Sequence, residues 1–378
     1  MKEMLLTPLL VFANTAFAGP DLTYSTPCDP RNQTATLSFV GDILIHDMLY
    51  KSVVAGSKDF SQIWRRTNSL MQKADASIGN LEGPAALGID RQGRDHGDVG
   101  FTYDLNIYSG TNMVFNFHPR ILSDLKKSGY DLLTVANNHS LDRYSIGVDR
   151  TVQAARNIGL PTVGTRIAQE RNAEFYQILN IRNMRVAFLG CTEMTNGRTD
   201  SKDQLLLCYS GEKIRTLIRD LSSRSDVDAV IVLPHWGVEY SSKPDAKQKS
   251  HAKMFLEAGA TAVVGSHPHV LQPWEKYVTT DGRETLVIYS LGNFVAFQKD
   301  VERKTGAVAY IGLAKEGNRK ATIFGVGYTP TYRDGYEVYP VGAGSFKDAQ
   351  KHAAQMFGTR GRIEPASTLL PALCGNGP

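Results

Sequence analysis

Residues 262–269 read Ala262-Val263-Val264-Gly265-Ser266-His267-Pro268-His269. A short β-branched run stops on a glycine and then delivers two imidazoles on one segment, with Pro268 limiting the backbone between them. The same arrangement recurs along the chain. Residues 36–40 run into Gly41-Asp42, with His46 shortly after, and residues 76–79 run into Asn80-Leu81-Glu82. Residues 132–136 run into Asn137-Asn138-His139, and residues 230–233 into Pro234-His235-Trp236-Gly237. Further apolar runs fill 185–190 and 285–290. Between the runs, Ile121, Leu122 and Leu125 recur at helical spacing before a capping Gly129. Residues 144–159 and 211–223 read similarly, and so do residues 247–258, stopped by Gly259. This alternation predicts an α/β fold whose sheet is largely buried.

Ligands of open α/β sheets bind at the carboxyl ends of the strands. Five strand ends here deliver Asp, Glu, Asn and His towards what reads as one rim. Of the nine histidines, 46, 139, 235, 267 and 269 fall in these positions. His118 and His251 read as ordinary polar residues. The set points to metal ligation. Mixed oxygen and imidazole donors suit Zn, Mn or Fe. A two-metal centre needs a bridging carboxylate between cations about 3.5–4 Å apart, and Glu82 or Asp42 is available. Such a pair of cations activates water and clamps a developing anion. His139 stands beside Asn138 as a general acid, with Asp142 as its orienting partner.

The chain has 378 residues, 42 basic and 38 acidic, with 42% hydrophobic and 21% charged residues. That composition excludes a disordered chain, a collagen-like fibre and a disulfide-dense miniprotein. The formal charge of +4 is mild and no dense Lys/Arg block occurs, which argues against a nucleic-acid partner. Residues 1–18 carry Lys2, then an apolar run, then Ala16-Phe17-Ala18. This outlines a signal peptide cleaved after Ala18, and predicts an exported, periplasmic or secreted protein. Removing it takes one Lys and one Glu and leaves the charge at +4. Four cysteines in an exported chain suggest two disulfides. Their positions favour pairing Cys28 with Cys374 and Cys191 with Cys208.

The stretch 83–118 is polar and glycine-rich, a substrate rim or a flexible surface excursion. Arg91, Arg94, Arg120, Arg143 and Arg166 are candidates to meet an anionic substrate. Arg143 is singled out because it closely follows the Asn-Asn-His segment. Trp236 and Tyr240 are candidates to line the pocket, although packing against the sheet is commoner for aromatic rings. Asn293 is a candidate for substrate contact or for a turn with Gly292. Glu239 is read as orienting a histidine or capping a helix near Ser241. Residues 307–313, 320–327 and 336–340 read as strands that complete a second sheet. Residues 347–356 read as a short helix.

Six motifs stand in order: Gly41-Asp42; Asn80-Leu81-Glu82; Ala136-Asn137-Asn138-His139; His235-Trp236-Gly237-x-Glu239-Tyr240; Gly265-x-His267-Pro268-His269-Val270-Leu271-Gln272; and Tyr289-Ser290-Leu291-Gly292-Asn293-Phe294. Together they resemble the CapA family of poly-γ-glutamate capsule synthesis proteins, from about residue 36 to 297. That family is similar to calcineurin-like metallophosphoesterases. The resemblance implies a four-layer αββα sandwich spanning residues 36–345, after an extension at 19–35 and before a C-terminal helix and tail at 346–378. It implies a divalent metal centre, of two Mn, Zn or Fe ions, held by Asp42, Glu82, Asn138, His235, His267 and His269. His139 takes the proton-donor role. Two departures from the general phosphoesterase pattern are visible. The first motif lacks an Asp-x-His, for which His46 is the stand-in, and Glu82 occupies the usual position of a bridging Asp.

The implied role is synthesis, export or attachment of poly-γ-glutamate or a related surface polymer. Implied partners are an anionic polymer, or a phosphorylated or glutamyl substrate, and a membrane synthetase complex. Three alternatives follow from the residues. One is a periplasmic metal-dependent phosphoesterase, a hydrolase of small esters. Another is a metal-assisted enzyme acting on a peptide or amide, by hydrolysis or by proton abstraction at Cα with His46 or His139 as base. The last is a non-catalytic polymer-binding module.

Overall fold

Among the described residues, which are 20–375 except 30 and 112 of this computed structural model, fourteen strands form two sheets. The leader expected at residues 1–18 lies outside them. In chain order the strands are β1 Gln33–Ile43, β2 Ala76–Leu81, β3 Leu132–Thr134, β4 Thr162–Val163, β5 Tyr176–Ile181, β6 Met184–Thr192 and β7 Ala229–His235. They continue with β8 Ala262–Val264, β9 Leu271–Val278, β10 Glu284–Leu291, β11 Asn293–Val295, β12 Thr305–Lys315, β13 Thr322–Asp334 and β14 Glu337–Pro340. The first sheet has the order β14-β13-β12-β1-β2-β3-β4, with β11 also paired to β1. The second has the order β5-β6-β7-β8-β10-β9. In the first sheet β1 to β4 run parallel, with β12, β13 and β14 antiparallel on the β1 side; in the second, β6, β7, β8 and β10 run parallel between antiparallel edge strands β5 and β9.

Three apolar layers hold the sheets, and strand periodicity assigns residues to them. On β6, Val186 and Phe188 point between the sheets, while Ala187 and Leu189 point outward. On β7, Ile231 faces inward, and Val230 and Val232 face outward. Both faces are buried, so these strands read as continuous apolar runs rather than alternating ones. Leu37, Phe39, Ile78 and Ile311 of the first sheet meet Phe188, Ile231 and Ile288 of the second. Helices Asp47–Ala55, Asn68–Gln72 and Arg120–Ser128 cover the first sheet through Leu49, Tyr50, Leu70, Ile121 and Leu125. Helices Glu212–Ser223 and Ala246–Glu257 cover the second through Ile214, Ile218, Phe255 and Leu256. The result is the expected four-layer αββα sandwich.

One expected placement is corrected. The three C-terminal strands join the first sheet, because β12 pairs antiparallel with β1 along its length and β13 and β14 follow. Beyond them, helix Lys347–Phe357 sends Ala353 and Phe357 into the layer between the sheets. Leu369 and Leu373 of the last helix pack on the outer side of the first sheet. Disulfides join Cys28 to Cys374 and Cys191 to Cys208. Among the described residues, no helix is long and apolar enough to cross a membrane.

The parallel strands put the carboxyl ends of β1, β2 and β3 beside those of β7, β8 and β10. The register of β1 against β2 and β11 is irregular around Asp42. Such an irregularity re-aims a side chain, here at the rim of the sandwich.

Candidate metal centre

Asp42, Glu82, His235, His267 and His269 converge at that rim, each no more than 3% exposed. Asp42 is placed by a close approach of backbone. Its N–H donates to Gly292 O at 3.0 Å, and a Cβ on the preceding Gly41 would sit 1.9 Å from that same oxygen. The Asp42 carboxylate accepts from Asn80 Nδ2 at 2.8 Å and from the His267 N–H at 3.3 Å. His269 Nδ1 lies 3.2 Å from Asp42 Oδ2.

The two imidazoles of the His-Pro-His segment are held in strained backbone. His267 has φ 101° and His269 φ 58°. Residues in these regions persist only where surrounding structure over-determines them. Here Tyr240 N–H grips Pro268 O at 2.7 Å, and Asn293 Nδ2 donates to His269 O at 3.0 Å.

Two groups of donor atoms form, and Glu82 belongs to both. One is Glu82, His235 and His267; the other is Asp42, Glu82 and His269. Around His235 Nε2 lie Asn138 Oδ1 at 2.8 Å, His267 Nδ1 at 3.1 Å and Glu82 Oε1 at 3.5 Å. His269 Nε2 lies 3.7 Å from Glu82 Oε1. Both oxygens of the buried Glu82 carboxylate lack a hydrogen-bond partner. A buried, unpaired carboxylate is costly unless a cation or hydrogen bonds satisfy it. The donor set therefore fits divalent metal: carboxylate, amide oxygen and imidazole are the ligands Mn, Fe and Zn accept.

Electrostatics agree. Burial, with the Asp42 charge adding to it and His269 opposing it, pushes Glu82 up to about 8. Burial opposes a charge on His269 too, but Glu82 and then Asp42 outweigh it and hold the imidazole up to about 10. Burial also opposes ionisation of Asp42; the His269 contact overcomes it and keeps that carboxyl below its ordinary value. Desolvation, partly opposed by Asp42, brings His235 down to about 3, and desolvation with the neighbouring imidazoles depresses His267 as well. Both rings are thus neutral at pH 7, the form that ligates.

A second ring of side chains orients these groups. Asn80 bridges Asp42 and His235 Nδ1, the latter at 3.2 Å, and Ser266 Oγ reaches His235 Nδ1 at 3.0 Å. His139 Nδ1 meets Asp142 Oδ2 at 2.9 Å, and its ring packs edge-on against Phe115. His46 accepts the Phe297 N–H on Nδ1 at 3.2 Å, which places its own proton on Nε2. Burial, together with the His269 charge, brings His46 down to about 4. Asn196 accepts from Asn138 Nδ2 and reaches His139 Nδ1, each at 3.4 Å. Sequence reading missed it, because it sits in a polar turn after β6 with no motif around it.

Three residues read as substrate contacts are placed elsewhere. Arg143 is fully buried and donates to the carbonyls of Ile89, Asn106, Ile107 and Asp142. It clamps the 83–118 stretch rather than meeting an anion. Trp236 is fully buried, stacked near Phe255 and Tyr289, with its Nε1 on Tyr289 O at 3.0 Å. Asn293 accepts from His269 Nδ1 at 3.0 Å and donates to three oxygens, so it positions a histidine. Glu239 is exposed, and the helix beyond it starts with an Asp245–Gln248 capping box, so Glu239 caps nothing there.

Residues 36–298 match the family model of the bacterial capsule synthesis protein PGA_cap. The capsule biosynthesis protein CapA of Bacillus anthracis is 29% identical over 295 residues, covering 76% of this chain and 66% of that protein. The PGA biosynthesis protein CapA of Bacillus subtilis (strain 168) is 28% identical over 285 residues, covering 74% and 68%. The chain thus spans about two thirds of the length of these relatives. Among solved structures, a 5'-nucleotidase precursor from Thermus thermophilus gives a TM-score of 0.43 at 12% identity, over 82% of this chain and 55% of that one. A purple acid phosphatase from yellow lupin (Lupinus luteus) seeds gives 0.32 at 11% identity, over 86% and 56%. Both likenesses are distant in backbone and in sequence.

Proposed function

Since the chain belongs to the bacterial capsule synthesis protein PGA_cap family, we propose that it is an exported protein of capsule or surface-polymer synthesis with a dinuclear metal centre. Its substrate on this reading is poly-γ-glutamate or a related anionic polymer, met beside a membrane synthetase complex. The observation that carries the metal centre is Glu82: a buried carboxylate with both oxygens unpartnered, shared by two donor groups. Asp42 and His269 would hold one ion, His235, His267 and Asn138 the other, with Glu82 between them. Two divalent ions there would polarise a carbonyl or phosphoryl oxygen and lower the pKa of a water.

The chain's own residues supply the rest. Asp142 fixes the His139 ring through Nδ1, which leaves Nε2 to pass a proton to a leaving group. The Phe297 N–H fixes the His46 tautomer with Nε2–H as a donor, so His46 hydrogen-bonds substrate rather than acting as a base at neutral pH. Asn293 and Tyr240 hold the His-Pro-His backbone in place.

The test is cleavage or transfer of labelled γ-glutamyl oligomers by purified protein supplied with Mn, Zn or Fe. His139→Ala is expected to lower turnover about 100-fold or more while leaving metal content intact. Turnover of generic phosphodiesters with no action on γ-glutamyl chains would favour the second reading, a metal-dependent phosphoesterase. That reading draws on the same donor set and the same His139–Asp142 pair.

A further inference from the structure

Two tyrosines, Tyr240 against the His269 ring and Tyr144 just beyond His139 in the chain, combine an exposed ring with a left-handed backbone. Tyr144 has φ 56° and is 45% exposed; Tyr240 has φ 63° and is 49% exposed. Each has a guanidinium over its ring. Arg198 lies 4.6 Å from the Tyr144 centroid and Arg303 lies 4.7 Å from that of Tyr240. The two pairs differ in charge. Arg303 is neutralised by Asp300, and the acidic Glu239 precedes Tyr240. Arg198 has no carboxylate partner among the described residues; it touches the Tyr144 ring and Met113 O.

Arg91 is exposed and also lacks an ion pair among the described residues. Both arginines act on the same buried neighbour, opposing the charge of Arg143. The turn that carries Arg91 packs on the Tyr144 ring, because a Cβ on Gly93, where φ is +78°, would sit 2.9 Å from Tyr144 Cδ2. The other arginines named from sequence are already engaged: Arg94 with Asp90, Arg120 with Asp124, Arg166 with Asp203.

The turn that carries Arg198 is fixed. Arg198 N–H donates to Thr195 O at 3.0 Å, and Thr195 Oγ1 donates to Arg198 O at 2.5 Å. Asn196 in the same turn reaches Asn138 and His139. The Cys191–Cys208 disulfide closes the loop. Tyr144 follows His139 by five residues, through the turns His139–Asp142 and Leu141–Tyr144. Two unneutralised guanidinium groups are therefore carried on turns that meet at Tyr144, and the Arg198 turn also reaches the groups proposed for metal binding and proton transfer. A guanidinium stacked on an aromatic ring is pre-organised for bidentate recognition of carboxylate or phosphate.

We infer that Arg198, over the Tyr144 ring, and Arg91, from the turn packed on that same ring, form an anion-binding subsite that holds a carboxylate or phosphate of an extended polyanion away from the reacting bond. The name of that polyanion, a γ-glutamyl chain, rests on the proposed function; the subsite does not.

The experiment measures binding of labelled oligo-γ-glutamate, and separately of polyphosphate, to the full metal-supplied protein by fluorescence anisotropy. Wild type is compared with R91A/R198A, R198K and the distant single-charge control R319A. The double variant is expected to bind about tenfold more weakly or worse, R198K to recover part of the loss, and R319A to match wild type. The exposed-site charge reversal R91E keeps the test decisive should R198A fail to fold. Equal oligo-γ-glutamate binding by wild type and the arginine variants would overturn the subsite and leave the proposed function standing. Arginine-dependent binding of polyphosphate alone would support the subsite and remove poly-γ-glutamate as the substrate. Binding of neither polyanion by wild type would overturn the subsite.

Discussion

Glu82 retains its proton well above its ordinary value because it is buried beside Asp42, and His269 does so because the Glu82 and Asp42 carboxyl groups outweigh the burial that opposes its charge. Metal must displace those protons, so metal affinity rises with pH between 6 and 8, by about tenfold per unit for each proton released. Calorimetry in two buffers of different ionisation enthalpy measures that release; uptake without it would contradict the assignment. The metal-free protein shows the linked effect. His269 is raised from 6.5 to about 10, so its contribution to stability is full below 6.5 and is lost as pH rises through 10. Denaturation of chelator-treated protein at pH 7 and pH 10 is expected to show lower stability at pH 10. Gly41 gives a purely steric prediction. With a Cβ 1.9 Å from Gly292 O, Gly41→Ala destabilises by about 1–3 kcal/mol and displaces Asp42, read as a lower melting temperature together with reduced metal content.

Secondary structure in the centre of the sheets was legible because β6, β7 and β10 are apolar on both faces, and glycine or proline marks the ends of these strands and of β1. The helix ending at Gly129 was legible too, since only its left-handed cap, with φ 105°, stops Arg120–Ser128. The placement of β12 to β14 was not, because it follows from the antiparallel pairing of β12 with β1, which joins residues about 280 positions apart in sequence. The stretch 83–118 misleads in the same way. Its glycines and charges suggest a loose loop, yet Phe115 and Phe117 lie in the outer core and the buried Asn116 amide bonds Ala86, Ile89 and Ile107. Arg143 was misread for a related reason: its partners are backbone carbonyls, which no motif announces. At this scale Phe188 is the sharpest probe. It is fully buried between the sheets, and Phe188→Ala is expected to cost about 3–5 kcal/mol in chemical denaturation. It would leave the outer-layer helices formed.

Taken whole, the molecule is one sandwich tied at its ends. The Cys28–Cys374 bridge spans 346 residues and links the segment before β1 to the last helix, whose Leu373 packs on the first sheet. Replacing both cysteines by serine is expected to cost about 2–5 kcal/mol. The loss should appear in melting temperature and not in metal content, since the bridge lies away from the rim. The constellation at the rim was legible from sequence because topology forces it: parallel strands in two stacked sheets bring their carboxyl ends to one edge. What sequence could not show is that Glu82 stands between two donor groups without a hydrogen bond of its own. That feature makes metal the central claim, and elemental analysis of purified protein beside its His267→Ala and His269→Ala variants tests it most directly. The account predicts about two Mn, Zn or Fe ions per wild-type chain, and loss of metal in the variants. A wild-type protein that holds no metal, and takes up none when metal is added back, would contradict it.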